Sequence, residues 1–428
     1  MCYLHPTLKE LILNETSVWG EKGITEDLVR SLHDPCPPTE VRNHACTKSQ
    51  RILIRNGTVY LTNVQPVNGW NVGHMLPGFL LELYETSQVY KLPDVEFAYW
   101  QDDNAPAETV KKADGTWTWP FAPHGLPPIM AWAKNKMHGS LLVPYSSAFR
   151  CPRDSFDAIM SEVQRMSETP WEQRSSMAFG RWNIFCAWYY RGHLKLEDGT
   201  PAPCPRNYYN DLYYNHSDKL LTVALMRNLT NGTVATSVSL HEQNKYKYLI
   251  STDGWAVSSK FDKYMLLGSL LLKAEGLTYA FYYPAIKPFE HYVPIMKKHK
   301  DDILDMLEWA KSHDAEAQRI AQNAQSFAMR HLNRQSRLCY MFHLISELSK
   351  QMRYQVDCSR RPACIPLIEE IKFLSRFDVT SNRCRYQETL AQYGHVDPDG
   401  QPGFSGYEEL LRKHKAQPEY ILFGRGKS

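Results

Sequence analysis

"KYKYLISTDGWAVSSKFDKYMLLGSLLLKAEG", residues 245–276, is the stretch from which the fold is read. Tyr246, Tyr248 and Ile250 alternate with Lys247 and Leu249, the period of a strand, and the strand ends at Asp253-Gly254. Gly254 lets the chain turn sharply there. Ser258 or Ser259 then caps a helix whose Phe261, Met265 and Leu266 form one apolar face. "GSLLLKAE" follows as a second strand with Glu275 at its carboxyl end. A strand, a turn, a helix start and another strand in so short a span predict an α/β unit.

The same stretch carries chemistry. A helix start exposes N–H groups at the positive end of the macrodipole, a site suited to an anionic phosphate. Lys260 sits in the first turn, where a cation is unfavourable for the helix itself. Either an anion comes to sit there or Lys260 is a solvated surface residue. In open α/β sheets ligands bind at the carboxyl ends of strands, which places Glu275 to accept hydrogen bonds from ribose hydroxyls or to cap a loop.

Outward from this core, "RILIRNGTVYLTNV" (51–64) predicts two strands joined by an Asn56-Gly57 hairpin turn. "MLPGFLLELYETSQVY" (75–90) is a short amphipathic helix, and "DVEFAYW" (94–100) a buried strand that stops at Gln101, Asp102 and Asp103. "GSLLVPYSSAF" (139–149) is read as a strand and loop. The helix "RDSFDAIMSEVQRMSE" leads to "PWEQRSSMAFGRWNIFCAWYYR", a strand ending in a polar turn that bears Arg181. Strands alternating with helices imply a largely parallel sheet. Downstream, two helical patterns meet at Asp314, a good N-cap. The first 50 residues read as an irregular leader, and the chain beyond about residue 355 as an extension packed on the surface.

Composition bounds the function. The 428 residues suit two domains, and nothing approaches the ~18 uninterrupted apolar residues of a membrane span. The 49 basic and 46 acidic residues are interspersed, giving net charge +3 and no basic patch for nucleic acid. Tyr (25) and Trp (11) are abundant in loop-like stretches, where they line either sugar sites or ordinary cores. None of the ten cysteines forms a CxxC pair, so zinc-site spacing is absent. Sequons at Asn14, Asn56, Asn215, Asn228 and Asn231, with an even cysteine count, point to a secretory compartment and some disulfides. The opening residues have no basic region followed by an apolar one, so a signal or membrane anchor is expected to lie outside these residues.

Together with "FYYPAIKPFEHYVPI" (281–295) and "DILDMLEWAKSHDAEAQRIAQNAQSFAMRHL" (302–332), the opening stretch resembles glycosyltransferase family 90, the Rumi and capsule-associated proteins. "LPDVEFAYWQDDNAP" and "PWEQRSSMAFGR" are similar to the family's acid-ended strand and to its segment before the phosphate-and-base loop. The resemblance implies GT-B architecture: two Rossmann-like domains facing a cleft, with C-terminal helices packing back. It divides the chain into an acceptor-side domain with the irregular leader (1–165), a UDP-sugar-binding domain (166–332) and C-terminal helices with an irregular extension (333–428). It implies inverting transfer of glucose or xylose from a UDP-sugar to a hydroxyl of a protein or polysaccharide, without a metal, in the Golgi or endoplasmic reticulum lumen.

By the same resemblance Asp103 matches the catalytic base, with Asp102 the alternative if the loop aligns one residue off. Two solvated loop acids are the plainer reading. For the donor, the Arg181 turn matches a family R-G-S loop that here reads Arg181-Trp182-Asn183, so Trp182 replaces the glycine. Arg191 is the candidate for a further downstream arginine. Lys260 falls where the family carries arginine, keeping the charge and losing the bidentate fork. Asp253, Gly254, Ser258, Ser259 and Glu275 complete the expected donor site. Tyr283, Pro284, His291 and Tyr292 are expected to be architectural. Two rivals stand beside the transferase: a catalytically silent nucleotide- or sugar-binding scaffold, and an unrelated α/β enzyme using the same helix start for another phosphate.

Overall fold

The structure is a computed structural model that describes residues 2–30, 32, 49–63, 75–103, 110–111, 117–118, 125–151, 155–166, 169–183, 185–215, 221–225, 238–375, 384 and 386–396. The sequons at Asn228 and Asn231, and Cys36 and Cys46, lie outside the described residues. The chain forms two compact units, one ending at Ser155 and resuming at Gln335, the other running from Phe156 to Arg334.

The first unit holds strands β1 (Ser49–Arg55), β2 (Thr58–Leu61), β3 (Val95–Trp100), β4 (Ile129–Ala131) and β5 (Leu141–Leu142). Its sheet is mixed, in the order Ile365–Pro366, β2, β1, β3, β4, β5. β1 runs antiparallel to both β2 and β3, whereas β3, β4 and β5 are parallel. Asn56 and Gly57 both have positive φ (51° and 80°), the twist-matched two-residue turn that an Asn-Gly pair favours. Every residue of β3 is buried, and Phe79 of the helix Leu76–Val89 stacks on its Tyr99 at 3.7 Å.

Three expectations change in this unit. The described part of the leader is not irregular: Pro6–Thr16 and Glu26–Arg30 are helices. Glu15 pairs with buried Lys134 at 2.6 Å and accepts the Leu142 N–H at 2.8 Å, so burial of a charge pair ties the leader to the sheet. The segment 139–149 gives a two-residue strand and then the helix Ser146–Arg150. The described residues after 355 do not form a surface extension, since Ile365–Pro366 pairs with β2 and Leu367, Ile371 and Leu374 are buried. Proline and cysteine in these segments mask short apolar runs that tertiary packing recruits.

The second unit holds β6 (Ser175–Trp182), β7 (Leu221–Leu225), β8 (Tyr246–Ser251), β9 (Leu270–Ala274) and β10 (Val293–Ile295). All pairings are parallel, in the order β7-β6-β8-β9-β10. β8 and β9 are almost wholly buried, as parallel strands covered on both faces must be. Tyr248, Ile250, Leu270 and Leu272 pack with Ile303, Leu307, Ala317 and Ile320 of the helices Asp302–Ser312 and Asp314–His331. Numbered within the unit, the strand order is second, first, third, fourth, fifth, a doubly wound arrangement. The order reverses between β6 and β8, and such sheets bind ligands at the carboxyl ends of the two strands flanking the reversal.

Candidate functional site

The turn after β8 carries Asp253, only 2% exposed. Tyr189 donates its phenol hydrogen to Asp253 Oδ2 at 2.5 Å, and the Ser258 N–H donates to Oδ1 at 3.3 Å. Burial raises the Asp253 pKa, while Lys273, the Tyr189 bond and Arg206 oppose the rise. Space here is tight: a Cβ on Gly276 would lie 2.5 Å from both Asp253 Oδ2 and Tyr189 Oη. Glycine at 276 is therefore the condition for this pair to form.

Arg206 opens the helix Pro205–Asn215 and clasps the same turn. Its Nε donates to Thr252 Oγ1 (3.2 Å), Nη2 to Thr252 O (3.2 Å) and Nη1 to Asn183 O (3.0 Å). The guanidinium thus bridges the carboxyl ends of β6 and β8. Burial lowers its pKa to about 10, with Asp253 opposing, so it stays charged at neutral pH. A Cβ on Gly254 would stand 3.1 Å from Nη2, which explains the small residue at the turn. Lys273 of β9, 9% exposed, lies over the rings of Tyr283 (4.9 Å), Phe261 (5.8 Å) and Tyr292 (5.9 Å).

The other predicted donor residues distribute as follows. Arg181 lies at the end of β6 over Phe179, and its buried Nε has no partner among the described residues. Lys260 Nζ donates to Arg181 O at 3.0 Å. Lys260 itself is the cap of the helix Phe261–Leu266 and no side chain caps that helix, contrary to the expectation for Ser258 or Ser259. Ser258 Oγ instead accepts the Lys260 N–H at 3.4 Å, and Ser259 is exposed. Asn183 is exposed, its carbonyl held by Arg206. Glu275 is half-buried, and its carbonyl accepts the Tyr190 hydroxyl at 2.6 Å.

Arg191 lies exposed after the short 3-10 turn Trp188–Tyr190, and among the described residues no hydrogen bond or ion pair links it to the Asp253 turn. Arg206 holds that position. Sequence reading passed it over because a long loop separates it from Arg181; its signal was a Pro205-Arg206 helix start. Trp182 is buried in the core, its indole folded over Gly180 and donating to Arg206 O at 3.1 Å. His291 Nδ1 accepts the Lys287 N–H at 3.1 Å beside the Phe327 ring, an architectural role. Asp314 begins its helix without capping it and takes Lys247 Nζ at 2.8 Å and the Trp171 indole at 2.9 Å.

In the first unit, β3 ends at Trp100, and the chain continues through buried Gln101 to the half-buried Asp102 and Asp103. Asp102 Oδ1 accepts the Asp103 N–H at 2.7 Å, and its carbonyl accepts the Trp132 indole at 3.1 Å. Trp132 stacks on Tyr145 at 4.3 Å. Burial, then the charge of Asp103, raises the Tyr145 pKa, so that phenol stays protonated beside the acid. Asp102 thus braces the loop through Oδ1 and its carbonyl.

The sequence profile of glycosyl transferase family 90 matches residues 11–369. The chain belongs to that family. It is 30% identical to protein O-glucosyltransferase 1 of Rattus norvegicus over 194 residues, 45% of this chain and 47% of the relative. It is 26% identical to protein O-glucosyltransferase 2 of Danio rerio over 308 residues, 69% of this chain and 54% of the relative. Protein O-glucosyltransferase 3 of Homo sapiens shares 35% identity over 126 residues, 29% of this chain and 25% of the relative. The chain thus spans about half the length of the first two relatives. Among the described residues no helix is long and apolar enough to cross a membrane.

Proposed function

We propose that this family 90 protein is an inverting glycosyltransferase of GT-B type that moves glucose or xylose from a UDP-sugar to a hydroxyl of a protein or glycan acceptor. The observation that carries the reading is the cationic constellation at the carboxyl ends of β6, β8 and β9. Arg206 and Lys273 lie near the deeply buried Asp253 carboxylate, and Lys260 and the unpartnered Nε of Arg181 stand at the end of β6. Such a site suits the diphosphate of a nucleotide sugar, whose charge grows as the bond to the sugar breaks. These cations supply the countercharge, so the proposal includes no metal. Arg206 takes the place expected for Arg191.

In the proposed step the acceptor oxygen attacks the anomeric carbon as UDP leaves from the opposite face. The Asp103 carboxylate takes the acceptor proton; Asp102, whose Oδ1 already holds a backbone N–H, positions the loop. Four disulfides among the described residues, Cys2–Cys339, Cys151–Cys384, Cys186–Cys204 and Cys358–Cys364, support the reading of a protein folded in the lumen of the Golgi or endoplasmic reticulum. A second reading, a catalytically silent nucleotide- or sugar-binding scaffold, draws on Lys260, whose ammonium is engaged with Arg181 O.

The test is UDP release from UDP-glucose and UDP-xylose by the wild type and Asp103→Asn. Release with one donor, lost in the variant, supports both the donor and the base. Release that survives the substitution moves the base elsewhere. UDP binding without release supports the scaffold.

A further inference from the structure

The loop after β6 carries an exposed feature that the proposed transfer does not use. Phe185 is 45% exposed and stacks on Trp255, 41% exposed, with ring centroids 5.6 Å apart and planes 29° from parallel. Phe185 follows the end of β6 and Trp255 the end of β8, so the pair stands at the sheet reversal itself. Rings that meet across two strand ends in water are unlike scattered surface apolar residues, which need no explanation.

Both rings are held in place. Arg206 fixes the carbonyl of Asn183 at 3.0 Å on one side of Phe185, and the Cys186–Cys204 disulfide fixes the other. Trp255 is held by the Gly254 N–H to Ala256 O bond at 2.8 Å and by the Asp253 side chain on Ser258 N–H. A ligand that covers these rings gains apolar burial with little ordering of the loop.

We propose that Phe185 and Trp255 form a stacking platform for a pyranose ring of a saccharide acceptor. The inference rests on the glycosyl-transfer reading. A pyranose has one apolar C–H face and a rim of hydroxyls, and the platform offers a flat apolar surface with the exposed Asn183 amide beside it in the chain. Its position at the strand ends that carry Arg206 and Asp253 puts such a sugar beside the place proposed for the donor diphosphate.

The full chain is titrated with maltotriose, cellotriose and xylotriose by saturation-transfer NMR, with uridine as competitor, and UDP binding is measured by calorimetry on the same samples. At least one trisaccharide is expected to bind, with saturation strongest on the ring C–H protons of one residue. Affinity falls about tenfold in Phe185→Ala and in Trp255→Ala and recovers in Phe185→Tyr. Binding unchanged in both alanine variants, no trisaccharide bound by the wild type, or full displacement by uridine overturns the platform. UDP bound without any trisaccharide sinks the platform and leaves the donor reading standing. Trisaccharide bound without UDP leaves the platform as a saccharide site and sinks the donor reading.

Discussion

Tyr189 and Asp253 share a 2.5 Å hydrogen bond inside a pocket that leaves no room for a Cβ at Gly276. A hydrogen bond to a buried carboxylate contributes about 1.5–3 kcal/mol. Tyr189→Phe is expected to lower stability by that amount and weaken UDP binding, read from urea unfolding and calorimetry. Gly276→Ala should cost more, because the methyl group would lie 2.5 Å from both oxygens of the pair. Equal effects of the two substitutions would mean the turn relaxes freely.

The first unit contains a buried charge network. Arg337, wholly buried, donates to Glu82 at 2.8 Å, and Arg150 binds Glu82 and Glu85 at 3.0 and 2.6 Å. Breaking such a network strands a charge in a low-dielectric interior, at about 3–5 kcal/mol. Arg337→Ala should therefore lower the urea midpoint far more than removal of an exposed pair such as Arg165–Glu162. Similar midpoints for the two variants would show that water reaches the network.

His138 gives the protein a pH-dependent component. Burial, then the charge of Lys134, lowers its pKa to about 4, while its Nδ1 pairs with Asn135 Oδ1 at 2.7 Å. In the unfolded chain the imidazole titrates near 6.5. Because the folded value is depressed, the stability is present above pH ~6.5 and lost as pH falls through about 4. Urea midpoints should decline across that window, and His138→Gln should flatten the decline. A wild-type profile that is level from pH 7 to 4 would refute the shift.

How much of this was legible beforehand depends on where each signal lives. The hairpin at Asn56-Gly57 is local, since positive φ at two adjacent positions selects those residues, and it was readable. The strand–turn–helix–strand of 245–276 was readable because parallel strands and their turns are short and continuous. Arg206 was not, because its partners Thr252 and Asn183 are distant in sequence and meet only when β6 and β8 pair. Glu15, Arg337 and Arg361 were missed for the same reason. Their partners Lys134, Glu82 and Glu96 lie far along the chain, and a lone charge gives no sign that it will be buried.

The Cys186–Cys204 disulfide closes a loop whose other anchor is the Arg206–Asn183 bond. Closing a loop of about this length stabilises by about 3 kcal/mol through the unfolded state. The double variant Cys186→Ser with Cys204→Ser should lose stability of that order in urea. An unchanged midpoint would show that Arg206 alone orders the loop.

Arg206 offers the sharpest discrimination between charge and geometry at the site. Its three nitrogens reach three acceptors on two strand ends, Thr252 Oγ1, Thr252 O and Asn183 O. A lysine ammonium keeps the positive charge as a point at the end of a flexible stem and cannot span those acceptors in one plane. If the site needs only countercharge for a diphosphate, Arg206→Lys should bind UDP nearly as well as the wild type, and Arg206→Ala should not. If the guanidinium sets the geometry of the turn, both variants should lose more than about tenfold in UDP affinity, or 1.4 kcal/mol. The three-bond clasp predicts the second result. Calorimetry on the three proteins, with urea midpoints to separate lost binding from lost folding, decides between them.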